Sequence, residues 1–252
     1  MLAGRSVTTV VPPGVSGRSL ASLVSLLQLA DSAFPTGRYT QSFGLEAYAQ
    51  AGVLASDSPA SLLWWLLTDS LRLGMATSDG AALVCAHRAV DGAGGFDLEK
   101  IRTADLRLSA VKLARESREA SVRIGRALLS IAASAFKEAD ISDVSRLVSS
   151  GGSPGNHAVV MGVLSAKLGA PCAEAVVAEM YSFCSNWVAA AVRLGLTDHG
   201  AGQRILHLAG PVISDASVKA MSAEIDDIST CTPLVDVMST HHEQSAVRLF
   251  SS

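Results

Sequence analysis

The sequence contains few charged and few aromatic residues, which limits the classes of protein it can encode. Charged residues make up 17% and aromatic residues 5% of its 252 residues, while 49% are hydrophobic. Soluble domains usually contain about 25% charged residues. The apolar excess therefore excludes intrinsic disorder for most of the chain. A large core accounts for part of this excess, and surfaces covered by partner proteins could account for the rest.

Basic runs and paired cysteines are also missing. The net charge is −3, and no cluster of lysine and arginine is available to neutralise phosphates, so nucleic acid is not an expected partner. The four cysteines, Cys85, Cys172, Cys184 and Cys231, include no C-x-x-C pair. In a chain of this length they do not form a disulfide framework. We therefore expect reduced cysteines and a cytoplasmic protein.

No hydrophobic run is long enough for a membrane span or a signal peptide. The most apolar stretch, residues 176–196, is interrupted by Glu179 and Arg193 among other polar residues. Residues 1–18 lack a continuous apolar segment, and their proline, glycine and serine content is typical of a flexible leader. Membrane association is therefore not expected.

The motifs of common catalytic sites are absent from the sequence. It contains no G-x-x-x-x-G-K-[ST] phosphate loop, no H-E-x-x-H and no E-x-x-H pair. One formal G-x-S-x-G occurs at residues 151–155, but no strand precedes it. Pro154 follows Ser153 and offers no N–H to an oxyanion hole. We expect no catalytic residue, and hence not an enzyme.

Helical periodicity dominates the chain, and no window shows sustained strand alternation. The pattern predicts an all-α fold, a single globular bundle of about 8–10 helices over residues 19–228. Residues 1–18 form the expected leader, and residues 229–252 a C-terminal partner-binding tail. The predicted helices lie near 20–30, 42–51, 59–74, 78–90, 104–136, 156–168, 171–194, 198–209 and 211–223. The Ser/Gly-rich residues 149–155 are either a mobile loop or a domain linker.

Two groups of side chains allow more than one interpretation. Cys231, His241, His242 and Glu243 offer ligands suited to nickel or zinc, or they belong to a solvated polar tail. Because no ligand spacing recurs among them, we predict no metal site. On the predicted helix 104–136, three arginines form either a solvated face or a grip for an acidic partner or a phosphate. These are Arg115, Arg118 and Arg126, with Glu119 beside them.

Three segments resemble the urease accessory protein F family. Residues 26–37 read LLQLADSAFPTG and are followed by YTQSFGLE at 39–46 and by Gly52. Residues 189–195 read AAAVRLG, with Gly202 and Gln203 shortly after, and residues 242–252 read HEQSAVRLFSS. The resemblance covers roughly residues 23–252, in order. Arg38 stands where a smaller residue is commoner in the family, and Gln41 where histidine is common.

The resemblance implies a dimeric, all-α accessory protein without catalytic activity. Such a protein joins the urease accessory proteins D (H in some organisms) and G on apo-urease, and it couples the GTPase of the G partner to nickel insertion. The chain itself would then need no cofactor, since the complex handles nickel and the G partner binds GTP. From the residues alone, a metal-dependent helical enzyme and a helical dimer that serves another regulator remain alternatives.

The candidate partner-binding residues belong to the first and last of these segments. Gly37 and Gly44 permit positive φ or close backbone approach, either to expose neighbouring polar groups or merely to form turns and pack helices. Arginine and aromatic side chains often dominate interfaces, and terminal segments are poorly ordered unless they are tied down. We therefore expect the tail to be ordered mainly by a partner. The candidates are Tyr39, Gln41, Glu46, Glu243, Arg248, Leu249 and Phe250.

Overall fold

The computed structural model describes residues 17–54, 59–243 and 250. Within these ranges the secondary structure is helical, apart from one isolated bridge between Val90 and Phe96. The all-α prediction is therefore confirmed. The helices are α1 (Gly17–Ala30), α2 (Leu45–Gln50), α3 (Pro59–Asp69), α4 (Asp79–Arg88), α5 (Leu98–Val111), α6 (Arg115–Ala135), α7 (Ser142–Ser149), α8 (His157–Lys167), α9 (Cys172–Arg193), α10 (His199–Met221) and α11 (Pro233–Glu243).

The centre of the bundle is formed by α4, α8 and α9. Every residue of α8 from His157 to Ser165 is buried, as expected for a helix that is apolar on all sides. A Cβ at Gly162 would collide with the backbone carbonyl of Leu83. Glycine therefore allows α8 to lie directly against α4. Helix α10 covers α9 from outside, and the buried apolar residues form one continuous core.

The single long helix predicted over 104–136 was wrong, because the chain breaks into α5 and α6. Lys112, directly after α5, adopts an extended conformation and places its ammonium group 2.7 Å from a carboxylate oxygen of Asp79. The guanidinium of Arg118 then donates a hydrogen bond to the Lys112 carbonyl at 2.7 Å. The break thus forms an ion pair with α4 and satisfies a carbonyl at the helix end. Leu113, the residue after Lys112 in this break, is exposed.

The two helices predicted over 198–209 and 211–223 are one helix, α10, with Pro211 inside it. Proline in a helix interior removes a backbone hydrogen bond and usually ends or kinks the helix. Here Ala209, Val212 and Ile213 are buried on both sides of the proline. Packing against α9 therefore outweighs the local cost.

The Ser/Gly-rich segment between α7 and α8 is a loop held by one buried carboxylate. Asp105 is fully buried and accepts hydrogen bonds from the Ser153 hydroxyl and from the backbone N–H groups of Gly155 and Asn156. The Asn156 side chain donates a further bond at 2.7 Å. These bonds satisfy the buried carboxylate and hold the loop against α5. Ser153 therefore has a structural role in the formal G-x-S-x-G.

Candidate functional site

The first motif forms a turn whose backbone requires glycine. Gly37 and Gly44 adopt φ values of 78° and 81°, and the single 3₁₀ turn Arg38–Thr40 lies between them. Phe43 also has a positive φ, 53°, which is a genuine outlier for a bulky residue. The turn therefore has a specific and partly strained shape, from which α2 begins.

Gly44 has a second role, because α11 packs directly on it. A Cβ at Gly44 would lie 3.2 Å from the Ser239 hydroxyl and 3.5 Å from a methyl carbon of Val235. Both of these residues belong to α11. Of the two roles considered for this glycine, the structure shows turn formation and close packing. Helix α11 itself lies inside the segment 229–252 that the sequence assigns to the tail.

The three quoted motifs meet at one place, although 204 residues separate two of their members. Glu46 is buried, and its carboxylate accepts a hydrogen bond from the Phe250 backbone N–H at 3.1 Å. The Arg193 guanidinium lies 4.5 Å from the centre of the Phe250 ring, a cation–π contact. Arg193 also donates a hydrogen bond to the Tyr39 carbonyl at 2.7 Å. We call this group of Tyr39, Glu46, Arg193 and Phe250 the motif junction.

The structure places the candidate partner-binding residues in different environments. Tyr39 exposes 53% of its surface, whereas Gln41, Glu46 and Phe250 are buried. Arg248, Leu249 and the side chain of Glu243 lie outside the described part. Phe250 therefore packs against its own chain, whereas the sequence predicts a tail that is ordered mainly by a partner. The role of these seven residues in partner binding stays a prediction.

A buried ion pair joins the first motif to α9. The Arg38 guanidinium donates hydrogen bonds of 2.8 and 2.7 Å to the two carboxylate oxygens of Glu179, whose exposed fraction is only 2%. The Nδ1 atom of His157 lies 3.5 Å from the same carboxylate. Burial alone would raise the pKa of Glu179, but the Arg38 guanidinium and His157 hold this pKa well below its usual range. The Glu179 carboxylate is therefore ionised.

A cavity of about 170 Å³ lies beside this ion pair. Its lining includes the Arg38–Glu179 and Lys112–Asp79 pairs, and α11 forms one wall. Among the described residues, no group of three or more His, Cys, Asp or Glu side chains could hold a metal ion. Of the tail cluster, Cys231 is exposed, and the side chains of residues 241–243 lie outside the description.

Two of the three arginines predicted to share a face bind backbone carbonyls. Arg118 bonds to the end of α5, and the Nε atom of Arg126 donates to the Pro154 carbonyl at 3.0 Å. Gly125, beside Arg126, has no room for a side chain, since a Cβ there would collide with the Gly155 carbonyl. The interpretation as a merely solvated face is therefore incomplete, because this part of α6 holds the α5 end and the loop before α8.

Sequence reasoning missed Arg38, Glu179 and Asp105. Arg38 stood out only as a departure from the family pattern, and Glu179 only as an interruption of an apolar stretch. A glutamate within a buried helix is itself a signal, because such a charge needs a partner. The identity of that partner, 141 residues away, could not be read from spacing.

One described helix, α9, is long and apolar enough to cross a membrane by length and composition alone. However, 67% of its apolar window is buried inside the protein, and α1, α4, α8 and α10 all pack against it. The structure therefore uses α9 as a core helix of the bundle.

The fold and the motif junction define an all-helical protein in which three distant segments are held together without a metal-binding cluster in the described residues. The family model UreF matches residues 57–209 of this chain. Urease accessory protein UreF of Trichodesmium erythraeum is 31% identical over 233 residues, which cover 92% of this chain and 98% of that relative. The chain belongs to the UreF family.

Other relatives agree along almost their entire length. Urease accessory protein UreF of Paenarthrobacter aurescens is 32% identical over 229 residues, covering 91% of this chain and 97% of the relative. Urease accessory protein UreF 2 of Brucella canis is 32% identical over 242 residues, covering 96% and 97%. These names identify accessory proteins, so the chain is an accessory protein rather than an enzyme.

Proposed function

We propose that this protein is a scaffold for urease maturation. It joins the accessory protein D (or H) and the GTPase G on apo-urease, and it couples GTP hydrolysis by the G partner to nickel insertion into the urease active site. Membership of the UreF family is the observation that supports this proposal most strongly. We further propose that it acts in the cytoplasm as a homodimer. Nickel and GTP are handled by the partners, so the chain itself carries no resident cofactor.

An exposed apolar face supports a role in protein assembly. On α1, Leu20, Val24 and Leu27 share one side of the helix and are exposed, with 64% of Val24 accessible. Helix α1 packs against α9, where Val177 and Tyr181 are also exposed one turn apart. We call these five side chains the α1/α9 face. Large apolar side chains exposed on two packed helices are typical of interaction sites when they form a patch.

The motif junction supports a second contact region. Tyr39 is exposed beside it, and the Glu46 carboxylate holds the Phe250 backbone N–H. We propose that Tyr39, Gln41, Glu46 and Phe250 shape this region. In this proposal Glu243, Arg248 and Leu249 contribute side chains to the partner.

Co-purification tests the assembly proposal directly. Tagged full-length protein is co-expressed with the D-type partner, the G-type GTPase and apo-urease, and co-elution and urease activation are measured. We expect all components to co-elute with the wild-type protein. If none co-elutes and activation does not depend on this protein, the scaffold proposal is wrong, and a helical dimer serving another regulator becomes the better interpretation.

Matched variants locate the contact. Val24→Asp on the α1/α9 face should reduce co-elution at least about tenfold, because an isolated charge in a desolvated interface is costly. Val218→Asp on α10, equally exposed but elsewhere, should have little effect. Equal co-elution of both variants, with unchanged circular dichroism, would exclude the α1/α9 face as an interface.

A further inference from the structure

The cavity beside the Arg38–Glu179 pair is large enough for a small organic molecule. Its volume of about 170 Å³ exceeds that of an engineered protein cavity known to hold benzene, about 150 Å³. Helix α11 contributes Asp236 and Ser239 to its wall, α6 contributes Ser121, and the first motif contributes Phe43. The lining is therefore mixed, with apolar, hydroxyl and charged groups.

One buried hydroxyl of the lining lacks a hydrogen-bond partner. Ser121 is 8% exposed, and its Oγ atom forms no hydrogen bond with the part of the chain that the structure describes. Buried polar side chains are nearly always hydrogen-bonded, so each exception needs an explanation. A ligand in the cavity would supply the missing partner.

One acidic group of the lining lacks an ion-pair partner. Asp79 is paired with Lys112, and Glu179 with Arg38 and His157, so these basic groups are already engaged. Asp236 is half-buried, and no salt bridge between described residues includes it. Burial raises the pKa of Asp236, and the ammonium of Lys112 opposes this only in part. The cavity thus has one carboxylate without a direct counter-ion.

Two aromatic rings complete the wall. Phe43 and Phe183 both line the cavity, and their rings meet edge to face with centroids 4.9 Å apart. Phe43 reaches this position from a left-handed backbone conformation, a kind of strain that persists only where the surroundings enforce it. Aromatic rings favour cations as well as apolar groups.

We propose that this cavity binds a small organic cation that carries an alkylammonium or alkylguanidinium group. Asp236 is its counter-ion, the Ser121 hydroxyl accepts one of its N–H bonds, and the rings of Phe43 and Phe183 pack against its carbon atoms. This chemistry fits a free amine or guanidine, and it equally fits the tip of a lysine or arginine side chain from a partner protein.

Calorimetric titration of the full-length protein tests the proposal with n-butylammonium and methylguanidinium, and with the neutral methylurea as the matched control. We expect both cations to bind with a Kd of about 1 mM or tighter, and methylurea to bind at least about tenfold more weakly. No binding of either cation at about 50 mM, or equal binding of methylurea, would overturn the proposal.

Variants assign the binding to the cavity. Asp236→Asn should weaken cation binding by about tenfold or more, and Ser121→Ala by a few-fold, since hydrogen bonds to charged groups are the stronger ones. Asp215→Asn, which removes an exposed carboxylate of α10, should change nothing. If Asp236→Asn folds normally and binds as well as the wild type, the proposed site is wrong.

The same titration on the assembled complex distinguishes the two sources. Binding that persists in the complex with the D-type and G-type partners indicates a free cation. Binding that disappears there, while present in the isolated protein and dependent on Asp236, indicates that a partner side chain fills the cavity. Either result supports the proposed cation site in the cavity. Neither result depends on which partner performs GTP hydrolysis.

Discussion

The Arg38 guanidinium and the Glu179 carboxylate form two parallel hydrogen bonds of 2.8 and 2.7 Å across the interior of the protein. This geometry holds the turn of the first motif against the middle of α9. Paired charges at this depth compensate one another, so removing one of them costs more than removing both.

The ion pair gives the first prediction. Glu179→Leu should lower the free energy of unfolding by about 3 kcal/mol, because it leaves the Arg38 guanidinium partly buried without a counter-ion. The double variant Arg38→Leu/Glu179→Leu should lose less. Glu99→Gln, which breaks the exposed pair with Arg102, should change stability by about 0.5 kcal/mol or less. Urea denaturation followed by circular dichroism measures all three. A double variant less stable than Glu179→Leu would contradict this account.

Two helical glycines should respond to alanine by different amounts. Gly125→Ala places a Cβ against the Gly155 carbonyl and should destabilise the protein by about 2 kcal/mol or more. At Gly210, an added Cβ meets no atom within 4 Å outside the neighbouring residues, but the ring of Pro211 disfavours the helical conformation of a preceding residue that carries a Cβ, so Gly210→Ala should change stability by about 1 kcal/mol or less. Thermal melting of the two variants side by side is sufficient. Similar melting temperatures would show that α6 does not need the close approach.

The carboxylate of Asp105 should matter more than any single donor it serves. Asp105→Ala leaves the N–H groups of Gly155 and Asn156 unpaired in the interior and should cost about 3 kcal/mol. Ser153→Ala removes only one donor and should cost about 1 kcal/mol. Denaturation midpoints give both values. Urease activation by the Ser153→Ala variant should remain normal, and its loss in a folded protein would reopen the question of a nucleophile.

His87 should make stability depend on pH. Burial lowers the pKa of His87 in the folded protein below its ordinary value of about 6.5, although the 2.9 Å hydrogen bond to the Ala170 carbonyl opposes this. Between the two pKa values the unfolded chain binds the proton and the folded chain does not, so stability falls as the pH drops through about 6.5.

The variant His87→Gln should lose this dependence while keeping a side chain able to donate to Ala170. Unfolding free energies at pH 7.5, 6.5 and 5.5, conditions chosen around the ordinary histidine pKa of about 6.5, provide the comparison. All other histidines are common to both proteins, so the difference between the curves isolates His87. Identical curves would show that its charge state does not change on folding.

At the motif junction, the ring of Phe250 should contribute to stability without any partner. Phe250→Ala should cost about 3 kcal/mol, because it empties a buried site and removes the contact with the Arg193 guanidinium. Tyr39→Ala should cost about 0.5 kcal/mol or less, since the Tyr39 ring is exposed and its carbonyl still accepts the bond from Arg193. Melting of the isolated protein distinguishes the two. Unchanged stability of Phe250→Ala would favour a tail ordered by a partner.

Local signals in the sequence correctly located most helices. They did not show where packing between distant segments determines whether a helix breaks or continues. The ends predicted near residues 30, 168 and 194 lie within one residue of the observed ends of α1, α8 and α9. The break between α5 and α6 could not be predicted, because Lys112 leaves the helix to reach Asp79 on another element. The helix break predicted near Pro211 was wrong for the same reason, because the packing against α9 involves residues that are not close to Pro211 in the sequence.

The candidate site was predictable as three separate segments and not as one place. The sequence indicated that Gly37 and Gly44 permit positive φ or close approach, but the packing of Ser239 against Gly44 joins residues of different elements. Arg193 was noted only as an interruption of an apolar stretch and as part of a motif. Its contacts with both ends of the sequence arise from the way α9 crosses the bundle.

Arg193 has one guanidinium and two recipients, the Tyr39 carbonyl and the Phe250 ring. If the Tyr39 carbonyl moves, the Arg193 guanidinium moves with it, and the contact of Arg193 with the Phe250 ring changes. The same holds in the other direction. Mutational effects on the turn and on the last residues should therefore not be additive, and a double-mutant cycle across them should show a coupling energy. We therefore expect a partner that binds the turn or Phe250 to change the stability of the other as well.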